Sequence, residues 1–108
     1  MLTIDGFEFK DTPSEVEGAP YWVDLWADVN GYKVGLQVKP GSYQSASTSF
    51  YARGAKASEE AGHKLFRRNF GGKVFVVTPQ KGVVPDKQVT MIRHEIDLLL
   101  KMPKREQE

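Results

Sequence analysis

Asp24, Gln37 and Lys39 are the residues of this chain whose types and spacing could do chemistry. They lie within YWVDLWADVNGYKVGLQVKP, residues 21–40, where two apolar runs flank Asn30-Gly31. A carboxylate, an amide and an ammonium held side by side can place a divalent cation next to a phosphate. Carboxylate and amide oxygens are hard ligands for Mg²⁺, and the ammonium is a counter-charge for the anion. Such a set works only if the backbone puts the three groups on one surface.

The Asn30-Gly31 pair supplies that backbone. Between alternating hydrophobic residues it predicts a two-residue type I′ turn, which needs positive φ at both central positions. The register then follows by counting: Val29 faces Tyr32, Asp28 faces Lys33, Ala27 faces Val34, Trp26 faces Gly35 and Leu25 faces Leu36. Continued outward, Asp24 faces Gln37, Val23 faces Val38 and Trp22 faces Lys39. Side chains alternate between faces along a strand. Val23, Leu25, Ala27, Val34, Leu36 and Val38 therefore form a core face, and Trp22, Asp24, Trp26, Asp28, Lys33, Gly35, Gln37 and Lys39 share the other. Opposed Cβ atoms lie about 4.5–5.5 Å apart and diagonal ones about 7–8 Å, so Asp24, Gln37 and Lys39 form one polar cluster. A structural polar pair on a wet sheet face would look similar, and Asp28 with Lys33 reads as such a pair. The two tryptophans beside Asp24 argue that its face is covered, and covered charges usually have a reason.

The rest of the chain frames this hairpin. Its 108 residues are one domain's worth, with 1–20 as an N-terminal strand and turn and 103–108 as a frayed tail. There is no cysteine, so neither disulfides nor thiolate chemistry is available. With no signal peptide and no apolar run near the roughly 18 residues of a membrane span, the sequence reads as cytoplasmic, with no membrane partner. Residues 1–30 carry seven acidic groups against Lys10, and residues 31–85 carry nine basic groups against Glu59 and Glu60. An acidic entry beside a basic middle suits a cation site next to a polyanion-binding surface.

Leu2 to Phe9, broken by Asp5-Gly6, reads as a short strand or hairpin. Thr12-Pro13-Ser14-Glu15 resembles a capping box opening a helix of about one turn. A helix starts between Phe50 and Ser58 and ends at Phe70, with Gly71 after it. Its wheel puts Ala61, Leu65, Phe66 and Phe70 inward, and Lys56, Glu60, His63, Lys64 and Arg67 outward. The continuous run Lys73 to Thr78 predicts a buried parallel strand, reached by a right-handed crossover from the Gln37–Lys39 strand. Asp86 is placed to cap a last helix with Val89, Ile92, Ile96, Leu99 and Leu100 on one stripe, ended by Pro103. The fold class is α/β: a mixed central sheet with the Asn-Gly hairpin, followed by α-β-α.

Val23-Asp24, twelve intervening residues, and then Gln37-Val38-Lys39 resemble the PD-(D/E)XK nuclease superfamily. The following helix, apolar strand and final helix fit the αβ order of its restriction-endonuclease-like fold. The resemblance implies a metal-dependent DNA endonuclease using Mg²⁺ or Mn²⁺. On that resemblance Asp24 would be the main ligand, Gln37 and the Val38 carbonyl would be further ligands, and Lys39 would orient the nucleophilic water or stabilise the transition state. It also implies an acidic residue from an upstream helix, for which Glu15 or Glu17 could serve. Gln37 stands where the family has Asp or Glu, which removes a negative charge, and Val23 stands in place of a proline.

A nuclease also needs a surface for DNA. Ser42 and Tyr43, in the polar loop that leaves the Lys39 strand, and Lys56, His63, Lys64 and Arg67 on the first long helix are the candidate contacts. Without a partner at clear ligand spacing, His63 and His94 read as solvated rather than metal-binding. Cutting both strands favours a homodimer, with Leu98 and Met102 off the final helix's core stripe as contacts. The alternatives are a catalytically inactive module of the same fold that binds nucleic acid or protein, and a resolvase or repair nuclease acting on branched DNA.

Overall fold

A computed structural model describes residues 2–39 and 50–105, with side chains described from 57 onward in the second segment. The elements run β1 (Leu2–Ile4), β2 (Phe7–Asp11), α1 (Ser14–Glu17), β3 (Leu25–Val29), β4 (Tyr32–Val38), α2 (Phe50–Phe70), β5 (Gly71–Val77) and α3 (Asp86–Leu100). The strands form one mixed sheet in the order β1-β2-β3-β4-β5. The first three pairings are antiparallel, and β4 with β5 is parallel.

Two tight turns build the antiparallel part. Asp5 and Gly6 have φ of 53° and 83°, and Asn30 and Gly31 have φ of 58° and 87°. These left-handed pairs are the type I′ geometry that matches strand twist. The β3–β4 register is the counted one from Val29↔Tyr32 to Leu25↔Leu36. Asn30 has a second role: its amide donates to the Leu99 and Met102 carbonyls at 3.0 and 2.8 Å, satisfying the end of α3. The Arg105 N–H donates to the Asn30 carbonyl at 3.0 Å, and the Tyr32 hydroxyl donates to the Pro103 carbonyl at 2.9 Å. The segment 103–105, expected to fray, is therefore docked on the hairpin turn; residues 106–108 lie outside the described residues.

Each sheet face carries its own core. Ala27, Val29, Val34, Leu36 and Val77 pack with Ile92, Ile96 and Leu99 of α3. On the opposite face Val16, Val23 and Phe66 of α2 pack with Tyr21, Trp26, Phe70 and Val74. Gly35 leaves room there, since a Cβ would meet Val23, Val74 and Phe66. Edge strand β5 is covered by side chains of α3: buried Glu95 accepts the Lys73 N–H at 2.9 Å, and Gln88 accepts the Thr78 N–H at 2.9 Å. Among the described residues no helix is long and apolar enough to cross a membrane.

Several expectations change. The capping box is absent: α1 follows Pro13 with no side-chain cap, and the Thr12 hydroxyl instead donates to the Val23 carbonyl at 2.5 Å. Asp86 opens α3 as a helical residue behind Pro85 and caps nothing through its side chain. Leu100 is 51% exposed, because one more residue around the helix carries it off the stripe.

Candidate functional site

The hairpin register stops at Leu25. The Asp24 N–H donates to the Leu36 carbonyl at 2.8 Å, although Leu36 is already the partner of Leu25. Two residues thus share one opposite residue, the arrangement of a bulge. The expected Asp24–Gln37, Val23–Val38 and Trp22–Lys39 pairs do not form. The one-residue shift turns Val23 onto the α2 face, where it is fully buried, while Val38 on β4 is 41% exposed.

The shift does not scatter the polar groups. Asp24, Gln37, Val38 and Lys39 line one cleft of about 480 Å³, with Ser14, Glu17, Gly18, Trp22 and Glu59. It lies where β4 ends, beside the carboxyl end of β5: the Lys39 N–H donates to the Val77 carbonyl at 2.9 Å. Crevices at the carboxyl ends of parallel strands are common ligand sites in α/β sheets.

Local hydrogen bonds hold each wall. The Thr12 N–H reaches the Asp24 carbonyl at 3.1 Å, and the Thr12 hydroxyl reaches the Val23 carbonyl. The Trp22 N–H donates to the Gly18 carbonyl at 2.9 Å, and the Val23 N–H to the Val16 carbonyl at 3.1 Å. Trp22 itself has φ of 60°, costly for an aromatic residue and sustained only by such surroundings. The Asp24 carboxylate Oδ2 accepts the Val38 N–H at 2.7 Å. The Lys39 ammonium lies 2.7 Å from Glu59 Oε1, with both side chains largely out of solvent. Gln37 is 4% exposed, and its Oε1 is buried without a hydrogen-bond partner.

Helix α2 enters in a different phase from the one its hydrophobicity suggests. Ala61 is exposed, while Glu59, Gly62, His63, Phe66 and Phe70 face the protein. Gly62 sets this phase, because a Cβ there would collide with the Pro20 carbonyl. His63, expected to be solvated, is half-buried with Nε2 sealed and unpartnered. Burial holds its pKa below the ordinary value, with Lys39 adding to the effect, against a hydrogen bond to the Trp22 backbone and the nearby Glu59 and Glu60 carboxylates.

The other expected residues fall as follows. Glu17 lines the cleft; Glu15 is exposed and outside its lining. Lys64 and Arg67 are exposed on α2. Ser42 and Tyr43 lie outside the described residues, as does the side chain of Lys56. Asp28 and Lys33 form the expected structural pair at 3.2 Å, with the Lys33 ammonium also 5.2 Å from the Trp26 ring centroid. Glu59 was not anticipated. The clue was its spacing, since 59, 62, 63, 66 and 70 follow a helical stripe once Gly62 is read as an inward residue.

Three carboxylates and one ammonium line the cleft. Among the described residues no three His, Cys, Asp or Glu side chains converge on one cation position. The donor set that suits a divalent cation is instead mixed: carboxylates from Asp24 and Glu59 and the unsatisfied amide oxygen of Gln37. Mg²⁺ commonly takes only one or two carboxylates plus waters, so the residues present fit such an ion. In comparisons with known proteins, no family model, no curated protein and no solved structure matches this chain.

Proposed function

We propose that this protein is a Mg²⁺- or Mn²⁺-dependent DNA endonuclease of the restriction-enzyme type, with the PD-(D/E)XK arrangement in a Gln-x-Lys form. The observation that carries the reading is the convergence of Asp24, Gln37, Val38 and Lys39 on one cleft despite the shifted register. Asp24 and Gln37 Oε1 are the residues that hold the ion, and Glu17 is the upstream acid that reaches the same cleft. A bound ion lowers the pKa of its water and neutralises charge building on the phosphate. Lys39 places a positive charge at the scissile group, where pre-positioned charge is worth most. Lys64 and Arg67 are exposed on α2, suited to backbone phosphates. Two copies related by a two-fold axis would cut both strands, with the exposed Leu98 and Met102 available for pairing.

A second reading is an inactive module of the same fold that binds nucleic acid or protein. The observation favouring it is that the Lys39 ammonium is already paired with the Glu59 carboxylate at 2.7 Å. Incubation of plasmid DNA with Mg²⁺ or Mn²⁺, with and without EDTA, separates the two. The endonuclease cuts only with metal, and Lys39→Ala lowers the rate by at least about a hundredfold. Tight binding without cutting supports the inactive module, and preference for four-way junctions identifies a resolvase.

A further inference from the structure

We propose that Glu59 is a ligand of the divalent cation in this cleft and that the Lys39–Glu59 ion pair is the resting form of that site, exchanged when the cation binds. The inference rests on the cation-site reading above and deepens it. It starts from a mismatch. Gln37 occupies the strand position where a carboxylate would be most useful, yet its oxygen is buried with nothing to accept from. Buried polar atoms are nearly always satisfied, so an acceptor sealed into the lining of a cleft points to a missing positive or donor group.

Glu59 supplies the charge that Gln37 lacks. It comes from α2 rather than from the sheet, and its side chain is only 13% exposed. A carboxylate so little hydrated needs a cation beside it, and here the Lys39 ammonium at 2.7 Å is that cation. A divalent ion bound to Asp24 and Gln37 Oε1 offers Glu59 twice the charge. Glu59 then turns from the ammonium to the ion, and Lys39 is released toward the phosphate that accompanies the ion. Asp24 keeps coordinating capacity while it holds the Val38 N–H, because a carboxylate has about four lone-pair sites. No bond is made or broken; one ion pair is exchanged for another.

Manganese binding to the full chain, followed by calorimetry and by the paramagnetic signal of unbound Mn²⁺, tests this without reference to cutting. Lys39→Met removes the competitor and leaves Glu59 in need of a cation, so affinity rises about tenfold or more. Glu59→Gln and Gln37→Met each lower it by a similar factor. The double variant Lys39→Met/Glu59→Gln removes both charges of the pair, keeps the fold, and binds Mn²⁺ weakly, which separates ligand loss from unfolding. A folded Lys39→Met that binds no more tightly than the wild type would overturn the exchange. A wild type that binds and cuts, with Glu59→Gln unchanged in both, would remove Glu59 and leave the nuclease reading intact. Absence of Mn²⁺ binding in both the wild type and Lys39→Met would end both.

Discussion

The Asp24 carboxylate accepts the Val38 backbone N–H at 2.7 Å, so a side chain of one strand end satisfies the main chain of the other. This bond joins the two sequence elements of the site although their backbones are out of register. It gives Asp24 a structural role beside the chemical one proposed for it, and substitutions can tell the two apart.

Asp24→Asn keeps an oxygen able to accept from Val38 but loses the charge. It should leave stability within about 0.5 kcal/mol of the wild type while abolishing metal-dependent cutting. Asp24→Ala should lose the activity and also about 1 kcal/mol of stability, the usual worth of a partly exposed hydrogen bond. Urea denaturation of the two variants beside a cleavage assay checks both. An active Asp24→Asn would remove Asp24 from the chemistry.

Gly62→Ala probes the fit of α2 against the cleft. On an open helix the change would gain about 1 kcal/mol in propensity. Here the added Cβ collides with the Pro20 carbonyl, so a net loss of about 1–3 kcal/mol is expected, with Glu59 displaced from Lys39. Thermal melting reads the first effect. A stabilised variant would mean that α2 does not lie this close.

Asn30 combines a left-handed backbone with the cap of α3. Asn30→Gly keeps the turn but loses the two carbonyl contacts, costing about 1–2 kcal/mol. Asn30→Ala adds backbone strain of about 1 kcal/mol. Chemical denaturation should rank wild type above Asn30→Gly above Asn30→Ala; equal stability of the two variants would contradict the positive φ.

His63 gives a signed pH dependence. Its folded-state pKa lies below the unfolded value of about 6.5, so the unfolded chain takes up the proton first. The stability from keeping the imidazole neutral is complete above about pH 6.5 and is lost as pH falls from there through the lowered folded value. Denaturation midpoints at pH 7.5 and 5.5 should therefore fall more for the wild type than for His63→Gln. An equal fall in both would place the pH sensitivity elsewhere.

The parts of the fold that were legible are those set by short-range rules. Asn30-Gly31 dictated the register as far as Leu25↔Leu36, Gly71 dictated where α2 ends, and the apolar run after it dictated a strand beside β4. What was not legible depends on contacts distant in sequence. Thr12 holds the carbonyls of Val23 and Asp24 and shifts the register by one residue. The approach of Pro20 to Gly62 turns α2 so that His63 and Glu59 face inward while Ala61 faces out. Hydrophobic periodicity ranks a glycine and a histidine low, so it set the wheel by Ala61 and passed over the acid that meets Lys39.

Diffraction from crystals grown with Mn²⁺, collected at the manganese absorption edge, tests the cleft itself. The account predicts an anomalous peak within about 2.5 Å of an Asp24 carboxylate oxygen and of Gln37 Oε1, with the Lys39 ammonium no longer against Glu59. A cleft without manganese at saturating concentration, with the Lys39–Glu59 pair intact, would contradict it.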